Sequence, residues 1–127
     1  MMDTKFLLMK TLRNSVQLIG NVGNDINFMT LEKGGSLAKF RMATNEYYKN
    51  AKGEKVKETQ WHNIVSWGKT AEYINENLKK GNEVMVQGKL KYSSYDDKEG
   101  ITRYSCDVVV NEFIKLTREV STEPTPF

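Results

Sequence analysis

Both tryptophans of this 127-residue chain lie in one short run, Thr59 to Lys69, which has the sequence TQWHNIVSWGK. If the run is a regular strand, its side chains alternate between two faces, so that Trp61 and Trp67 share one face and His62 lies on the other. An indole ring can be buried in a core, or it can offer a flat surface on which another ring stacks. The run is therefore either a core strand that holds tryptophan or a surface that binds flat ligands.

The composition limits the class of protein. A length of 127 residues is enough for one domain with its own core, and no apolar run approaches the ~20 residues of a membrane-spanning helix. The single cysteine, Cys106, cannot form an internal disulfide, and with the single histidine it cannot complete a zinc site of three or four protein ligands. We expect a cytoplasmic protein in a reducing compartment, without a cofactor, a metal or a membrane span.

The first residues carry positive charge around the apolar stretch 6–9, which is too short for a secretory signal. A mitochondrial transit peptide is the alternative, and Asp3 and the lack of serine disfavour it. The net charge of +3 is mild. The distribution of the charges is therefore more informative than their sum.

Alternation of apolar and polar residues predicts a mostly β protein. The predicted strands are 15–22, 26–31, 38–48, 59–69, 83–95 and 101–116, with the second either a strand of its own or a continuation of the first. Gly20 and Gly23 stand where a bend or bulge would leave no room for a Cβ atom. In the third and fifth predicted strands the apolar side chains have one parity, and the other parity is basic and aromatic.

One helix is expected, at 70–79. Thr70 is a suitable cap, Ile74 and Leu78 lie on one face, and Gly81 stands where a helix can end in a left-handed residue. A basic hairpin loop is predicted at 49–57, between the third strand and the tryptophan strand. A charged run of this kind is usually a solvated loop, but the aromatic residues at its base favour a binding role.

The order of these elements predicts an all-β OB-fold, a five-stranded Greek-key barrel with one short helix between the third and fourth strands. An SH3-like barrel is the alternative. On the polar side of adjacent strands, aromatic rings alternate with cations: Lys39, Arg41, Tyr47, Tyr48, Trp61, Trp67, Lys89, Lys91 and Tyr95. Stacking platforms among cations are typical of a groove for single-stranded nucleic acid, because each base offers a π face and each nucleotide a phosphate.

Several motifs resemble the bacterial single-stranded DNA-binding protein family. They are NSVQLIGNVG at 14–23, FRMATNE at 40–46, TQWHNIVSWGK at 59–69, LKKG at 78–81, VMVQGKL at 84–90 and YSCDVVV at 104–110. The resemblance spans roughly 14–116. It implies an OB-fold that assembles as a homotetramer and binds single-stranded DNA without sequence preference during replication, recombination and repair.

The resemblance also assigns roles by position. Trp61 matches a stacking tryptophan of the family, and Trp67 stands where the family has a stacking phenylalanine. Tyr48 and Tyr95 stand where the best-known members have tryptophan, and His62 matches a histidine linked to subunit assembly. The full set expected to bind nucleic acid is Trp61, Trp67, Tyr48, Tyr95, Tyr47, Lys39, Arg41, Lys49, Lys69, Lys80, Lys89 and Lys91. Asn63 and Ser93 stand where arginine is frequent, which implies fewer phosphate contacts.

The C-terminus departs from the family pattern. Family members usually end in a long linker and an acidic tip that docks onto replication and repair proteins. In this sequence only Pro126 and Phe127 match that tip, and Glu123 is the one nearby acid. The expected organisation is an N-terminal extension at 1–13, the binding domain at 14–118 and a short disordered tail at 119–127, with partner binding through Pro126 and Phe127.

Two other functions remain open from the residues. An accessory protein could use the same fold mainly to contact proteins, and the missing acidic tip favours that alternative. An OB-fold nuclease would need carboxylates and an arginine at a metal site. The acids Asp96, Asp97 and Glu99 are instead grouped at one predicted hairpin tip. We expect no catalysis, and a structural hydrogen bond is the expected role of His62 besides assembly.

Overall fold

The computed structural model describes residues 12–117 of the chain. Its elements are β1 (Val16–Val22), β2 (Asn27–Thr30), β3 (Ser36–Lys49), β4 (Lys55–Trp67), α1 (Gly68–Asn77), β5 (Glu83–Asp96) and β6 (Thr102–Lys115). The segment predicted at 26–31 is thus a short strand of its own. The helix follows β4, which is the third strand of the barrel when β2 is set aside.

The strands form one sheet in the order β1-β5-β6-β4-β3-β2. Asn21 and Val22 of β1 also pair with β3, and this second pairing closes β1, β5, β6, β4 and β3 into a barrel. All pairings are antiparallel except that of β4 with β6, which is parallel. The predicted five-stranded barrel with one short helix is confirmed, and it is the architecture of the OB-fold.

The barrel core is built from one parity of each strand. Alternation predicts Ala38, Phe40 and Met42 on the inner face of β3, and all three are buried. Equivalent inner positions on the other strands supply most of the remaining core: Val22, Ile64, Val84, Val86, Val108 and Val110. Because side chains alternate, burial of this parity leaves the other parity of each strand available on the outer face.

The helix packs its apolar face against one end of this core, through Ala71 and Ile74. Its predicted bounds are wrong at both ends. It begins at Gly68, with Trp67 in the cap position and no side-chain cap, so Thr70 lies inside the helix. It ends at Asn77, and Gly81 takes its positive φ in the following turn, where its N–H donates to the carbonyl of Val22.

The predicted basic loop at 49–57 is shorter than expected, because β3 and β4 continue to Lys49 and from Lys55. Asn50 organises the remaining turn. Its Oδ1 accepts hydrogen bonds from the N–H groups of Lys52 (2.9 Å) and Glu54 (3.0 Å). An asparagine that bonds the backbone ahead of it is a common turn device. Lys49 and Lys55 therefore lie opposite each other on the strands.

The pairing of β5 with β6 contains a bulge. Gln87 pairs with Glu112 and Gly88 with Val110, which leaves Asn111 as the extra residue on β6. The irregularity therefore lies on β6, and β5 keeps its two-residue alternation through Gly88. This is the condition under which Lys89, Lys91 and Tyr95 share one face, as the sequence predicts.

Two regions of the sequence prediction lie outside the described residues. They are most of the extension at 1–13 and the tail at 119–127. Within residues 12–117, no helix is long and apolar enough to cross a membrane.

Gly20→Ala should destabilise the fold, because a Cβ atom at this position would clash with the backbone carbonyl of Ala43. We expect a loss of about 1–3 kcal/mol in the free energy of unfolding, the usual cost of overpacking. Urea unfolding at one fixed protein concentration measures it. Gly35→Ala is the matched control, since its Cβ would lie 3.5 Å from Leu31 Cδ1, an ordinary contact. Equal stability of the two variants would contradict the predicted clash.

Candidate functional site

The outer parity of four neighbouring strands forms one continuous surface, which we call the groove face. Cross-strand partners in a sheet point to the same side, so the pairings assign its members directly. The groove face consists of Lys39 and Arg41 on β3, Trp61, Asn63, Val65 and Trp67 on β4, Arg103, Ser105, Asp107 and Val109 on β6, and Lys89, Lys91, Ser93 and Tyr95 on β5.

The two tryptophans are the largest side chains on this face. Trp61 is 52% exposed and Trp67 is 49% exposed, whereas Val65 between them is buried. Six residues along a strand separate the two rings by about 20 Å. The interpretation of the tryptophan run as a core strand is therefore wrong for the indole rings. It holds for the opposite parity, where Ile64 and Ser66 are buried.

Trp61 is held in place by two neighbours, Arg41 and Gly23. The guanidinium carbon of Arg41 lies 4.8 Å from the centroid of the ring, in a cation–π contact. The Cζ3 and Cη2 atoms lie so close to Gly23 that a Cβ atom there would clash with Cζ3. The Gly23 N–H donates to the carbonyl of Arg41 (2.7 Å), and the Arg41 N–H donates to Asn24 Oδ1 (2.8 Å). The loop after β1 therefore contacts the ring and fixes the backbone of the residue that supplies the cation.

A row of four polar residues crosses the groove face. Arg41 pairs with Asn63, Asn63 with Asp107, and Asp107 with Lys91. The row spans three inter-strand spacings, or roughly 14 Å, and it has a cation at each end and an amide and a carboxylate in the middle.

Two open cavities lie along this row. A cavity of about 340 Å³ is lined by Asn24, Asn27, Lys39, Phe40, Arg41, Asn63, Ile64, Val65, Ser105 and Asp107. A second cavity of about 140 Å³ is lined by Lys39, Val65, Trp67, Lys91, Ser93, Asp107 and Val109. They share Lys39, Val65 and Asp107, so the depression continues from the Trp61 side of the face toward Trp67.

The structure separates some residues that the sequence groups together. Tyr47 and Tyr48 are adjacent in β3, so their side chains leave the strand on opposite sides. Tyr47 has the parity of Arg41 and lies under the ammonium of Lys55, which is 4.8 Å from the ring centroid. Tyr48 is exposed on the other side of the hairpin, where its pairing partner is Val56.

The remaining predicted cations lie away from the two cavities. Lys49 is at the end of β3, Lys69 is in the first turn of α1, and Lys80 is in the turn before β5; all three are exposed. Lys89 belongs to the groove face by register, but it lines a different cavity beside Arg13. Tyr95 pairs with Arg103 near the tip of the β5–β6 hairpin. These residues would extend the groove face along both hairpins and around the barrel.

His62 lies on the side of β4 that faces away from the groove. Its Nε2 is 2.9 Å from the hydroxyl of Thr44, and both side chains are partly buried. The predicted structural hydrogen bond of His62 is therefore present.

The carboxylates at the tip of the β5–β6 hairpin stabilise the turn. Asp97 accepts hydrogen bonds from the N–H groups of Glu99 and Ile101, each at 2.9 Å, and from Arg103 Nε at 3.0 Å. The Ile101 N–H, followed by Arg103, lowers the pKa of this carboxyl below its ordinary value. Within residues 12–117, no group of three His, Cys, Asp or Glu side chains could hold a metal ion.

Sequence reasoning missed the residues that β6, β2 and the loop after β1 contribute. Asn24, Asn27, Ser105 and Asp107 all line the larger cavity. The alternation of Arg103, Ser105 and Asp107 was a usable signal, because it shows a polar outer face on the last strand. The position of Asp107 depends on the pairing of β6 with β4. No local sequence pattern indicates that these two strands are neighbours.

Comparisons with known proteins find relatives that share one description. The model of the single-strand binding protein family matches residues 13–116. The chain is 37% identical over 103 residues to a single-stranded DNA-binding protein of Xanthomonas campestris pv. campestris, covering 81% of the chain and 60% of that relative. It is 39% identical over 104 residues to single-stranded DNA-binding protein 1 of Chlorobaculum tepidum, covering 81% and 64%. The chain thus spans less than two thirds of the length of these relatives.

Two solved structures share the fold. A Plasmodium falciparum SSB in complex with ssDNA superimposes with a TM-score of 0.76 at 28% identity, covering 82% of the chain and 95% of that structure. A deletion mutant of the single-stranded DNA-binding protein from Thermus aquaticus has a TM-score of 0.71 at 22% identity, covering 82% and 50%. The second likeness shows the fold alone.

Gly23→Ala should displace the Trp61 ring, because the added methyl group would clash with Cζ3. We expect a shift in tryptophan emission and easier quenching by acrylamide, with Trp67 as the unchanged second fluorophore. Repeating the measurement in a Trp67→Phe background isolates the Trp61 signal. Gly35→Ala is the control and should leave both properties unchanged. Unaltered emission and quenching in Gly23→Ala would show that Gly23 does not position the ring.

Proposed function

The chain belongs to the single-strand binding protein family, and on that premise we propose that it binds single-stranded DNA without requiring a particular sequence, by stacking and phosphate contacts. The observation that carries the proposal is the pair of half-exposed tryptophans on one face, flanked by cations on the neighbouring strands. In this role the protein protects exposed strands during replication, recombination and repair. It acts in the cytoplasm, associated with the nucleoid.

On the groove face, the aromatic rings and the cations have different roles in binding. Bases stack on Trp61 and Trp67, and each stacked base contributes about 1–3 kcal/mol whatever its identity. Lys39, Arg41 and Lys91 lie beside the rings, where they can follow the phosphates. Because stacking and phosphate contacts do not depend on the base sequence, this arrangement can bind a single strand of any sequence.

The path of the strand beyond these contacts follows the remaining predicted residues. Tyr47, Tyr48 and Lys49 lie on the β3–β4 hairpin, and Tyr95 lies on the β5–β6 hairpin. A strand that wraps from the groove face over both hairpins would meet Tyr48 on one side and Tyr95 on another. Lys69, Lys80 and Lys89 supply charge around the barrel along such a path.

We propose that copies of the chain associate through β1, in the homotetramer that the family resemblance implies. Residues 16–20 of β1 pair with β5 on one edge, and within the described residues the other edge has no strand partner. On the outer side Ile19, Met85 and Ile114 form an apolar row, in which the two isoleucines are about half exposed. An open strand edge beside exposed apolar side chains favours pairing with another chain.

Two further contacts belong to this proposal. His62 is assigned to the subunit interface because it matches the family's histidine that is linked to subunit assembly; its observed contact is with the hydroxyl of Thr44. Pro126 and Phe127 are assigned to the docking of replication and repair proteins. Both lie outside the described residues, so their assignment rests on the resemblance alone.

Oligo(dT) should quench the fluorescence of Trp61 and Trp67, and the affinity should fall with salt by a slope of about −0.7 per phosphate contacted. Trp61→Ala and Trp67→Ala should each weaken binding by about 1–3 kcal/mol, or about 5- to 150-fold. Lys39→Gln should instead reduce the salt slope by about 0.7. Fluorescence titration at several salt concentrations measures all of these changes.

Tyr73→Ala is the matched control for the tryptophan variants, since Tyr73 is an equally exposed aromatic residue on α1, away from the groove face. It should bind oligo(dT) as the unmodified protein does. Absence of quenching at low salt would reject DNA binding. An equal loss in Tyr73→Ala would reject the groove face as its site.

Ile19→Glu should dissociate the assembly, because it places a carboxylate in the apolar row beside the open edge of β1. We expect a smaller species in sedimentation velocity, with an unchanged far-UV circular dichroism spectrum, since Ile19 is exposed in the single chain. Met29→Glu is the control, as Met29 is an exposed apolar residue of β2 at the other end of the sheet order. If only Met29→Glu dissociates the assembly, the interface lies elsewhere.

A further inference from the structure

Asp107 is the one carboxylate on the groove face. Its two cross-strand neighbours are Asn63 and Lys91, and it lines both cavities. A surface built to hold phosphates gains nothing from a negative charge at its centre, because that charge repels each phosphate that approaches. Asp107 therefore needs an explanation that stacking and phosphate contacts do not supply.

A structural ion pair does not explain it. Arg103 forms its salt bridge with Asp97, and within residues 12–117 the side chain of Asp107 has no hydrogen bond or ion pair. The amide of Asn63 is likewise without a protein partner in that part of the chain. The pair thus offers a carboxylate that only accepts hydrogen bonds beside an amide that both donates and accepts.

The larger cavity has the lining of a site for a flat polar ring. Val65 contributes apolar surface, whereas Asn24, Asn27 and Ser105 add polar groups around Asn63 and Asp107. The side chains of Phe40 and Ile64 are buried in the core, so these two residues border the cavity through their backbone. Its volume of about 340 Å³ is at the small end of the range for sites that hold small organic ligands. Asn24 is fixed by the bond that its Oδ1 accepts from the Arg41 N–H (2.8 Å).

We propose that this cavity is a nucleobase subsite that favours bases with an exocyclic amino group. Asp107 accepts a hydrogen bond from that amino group, as carboxylates do from N4 of cytosine, and the Asn63 amide donates to the adjacent ring nitrogen. The proposal rests on the function proposed above and adds a base preference to it.

The same geometry disfavours uracil and thymine. Their Watson–Crick edge has a carbonyl oxygen where cytosine has its amino group, and a carboxylate and a carbonyl oxygen repel each other. The ring N3–H can still reach Asp107, but it is flanked by two carbonyl oxygens, one of which then faces the carboxylate. The repulsion between the carboxylate and the carbonyl oxygen that faces it weakens binding at this position.

The test compares homopolymers of deoxycytidine and deoxyuridine of about 15 nucleotides, close to the longest stretch covered by one OB-fold. Both are single-ring bases without a methyl group, so they differ mainly in the amino and carbonyl groups. The measured quantity is the ratio of the two dissociation constants, uridine over cytidine, for each protein variant. Differences in the stiffness of the free strands are the same for every variant and cancel when ratios are compared.

Asp107→Ala should lower this ratio by about tenfold, because a hydrogen bond to a charged group is lost. Asp107→Asn keeps a neutral acceptor and should give an intermediate ratio. It also provides a test if the alanine variant does not fold. Asn63→Ala should lower the ratio as well. Glu76→Gln removes the same charge from the exposed side of α1 and should leave the ratio unchanged.

The outcomes are distinguishable. If Asp107→Ala tightens both strands equally, Asp107 is only a repulsive charge and the subsite is rejected. An unchanged ratio in all variants rejects it too, while quenching by both strands leaves the proposed function intact. If neither strand quenches tryptophan fluorescence at low salt, the proposed function is rejected and the subsite with it.

Discussion

The parallel pairing of β4 with β6 is the contact on which the groove face depends. It consists of three residue pairs, Asn63 with Asp107, Ile64 with Val108, and Val65 with Val109. The inner pair, Ile64 and Val108, is buried in the core, and the outer pairs form the floor of the groove. Burial of the inner pair therefore sets which polar groups meet on the outer side, since a shift by one residue would reverse both faces.

This dependence explains how far the sequence could predict the site. Residues within one strand, or in two strands joined by a hairpin, follow from alternation, so Lys39, Arg41, Trp61 and Trp67 are on the face expected for them. The pairing of β4 with β6 joins segments separated by about forty residues in the chain, and no local pattern specifies it. The position of Asp107 beside Asn63 is a result of barrel closure.

The errors in the sequence prediction are local and have local causes. Thr70 is a good capping residue, but the helix starts two residues earlier, at Gly68, directly after the strand that ends in Trp67. Gly81 can end a helix, yet it is used in the turn that bonds to Val22. The two adjacent tyrosines of β3 were assigned to one surface, although alternation separates Tyr47 from Tyr48.

The two-residue period of β4 also limits how this protein can change over evolution. Substitutions at the exposed positions of the groove face leave the core untouched, so the binding surface can be altered one side chain at a time. Loss or gain of a single residue between Trp61 and Trp67 would instead turn one tryptophan inward and expose Ile64 or Ser66. Length changes should therefore be rare in this strand and should accumulate in the turn that Asn50 closes, where the backbone is exposed and bonded within itself.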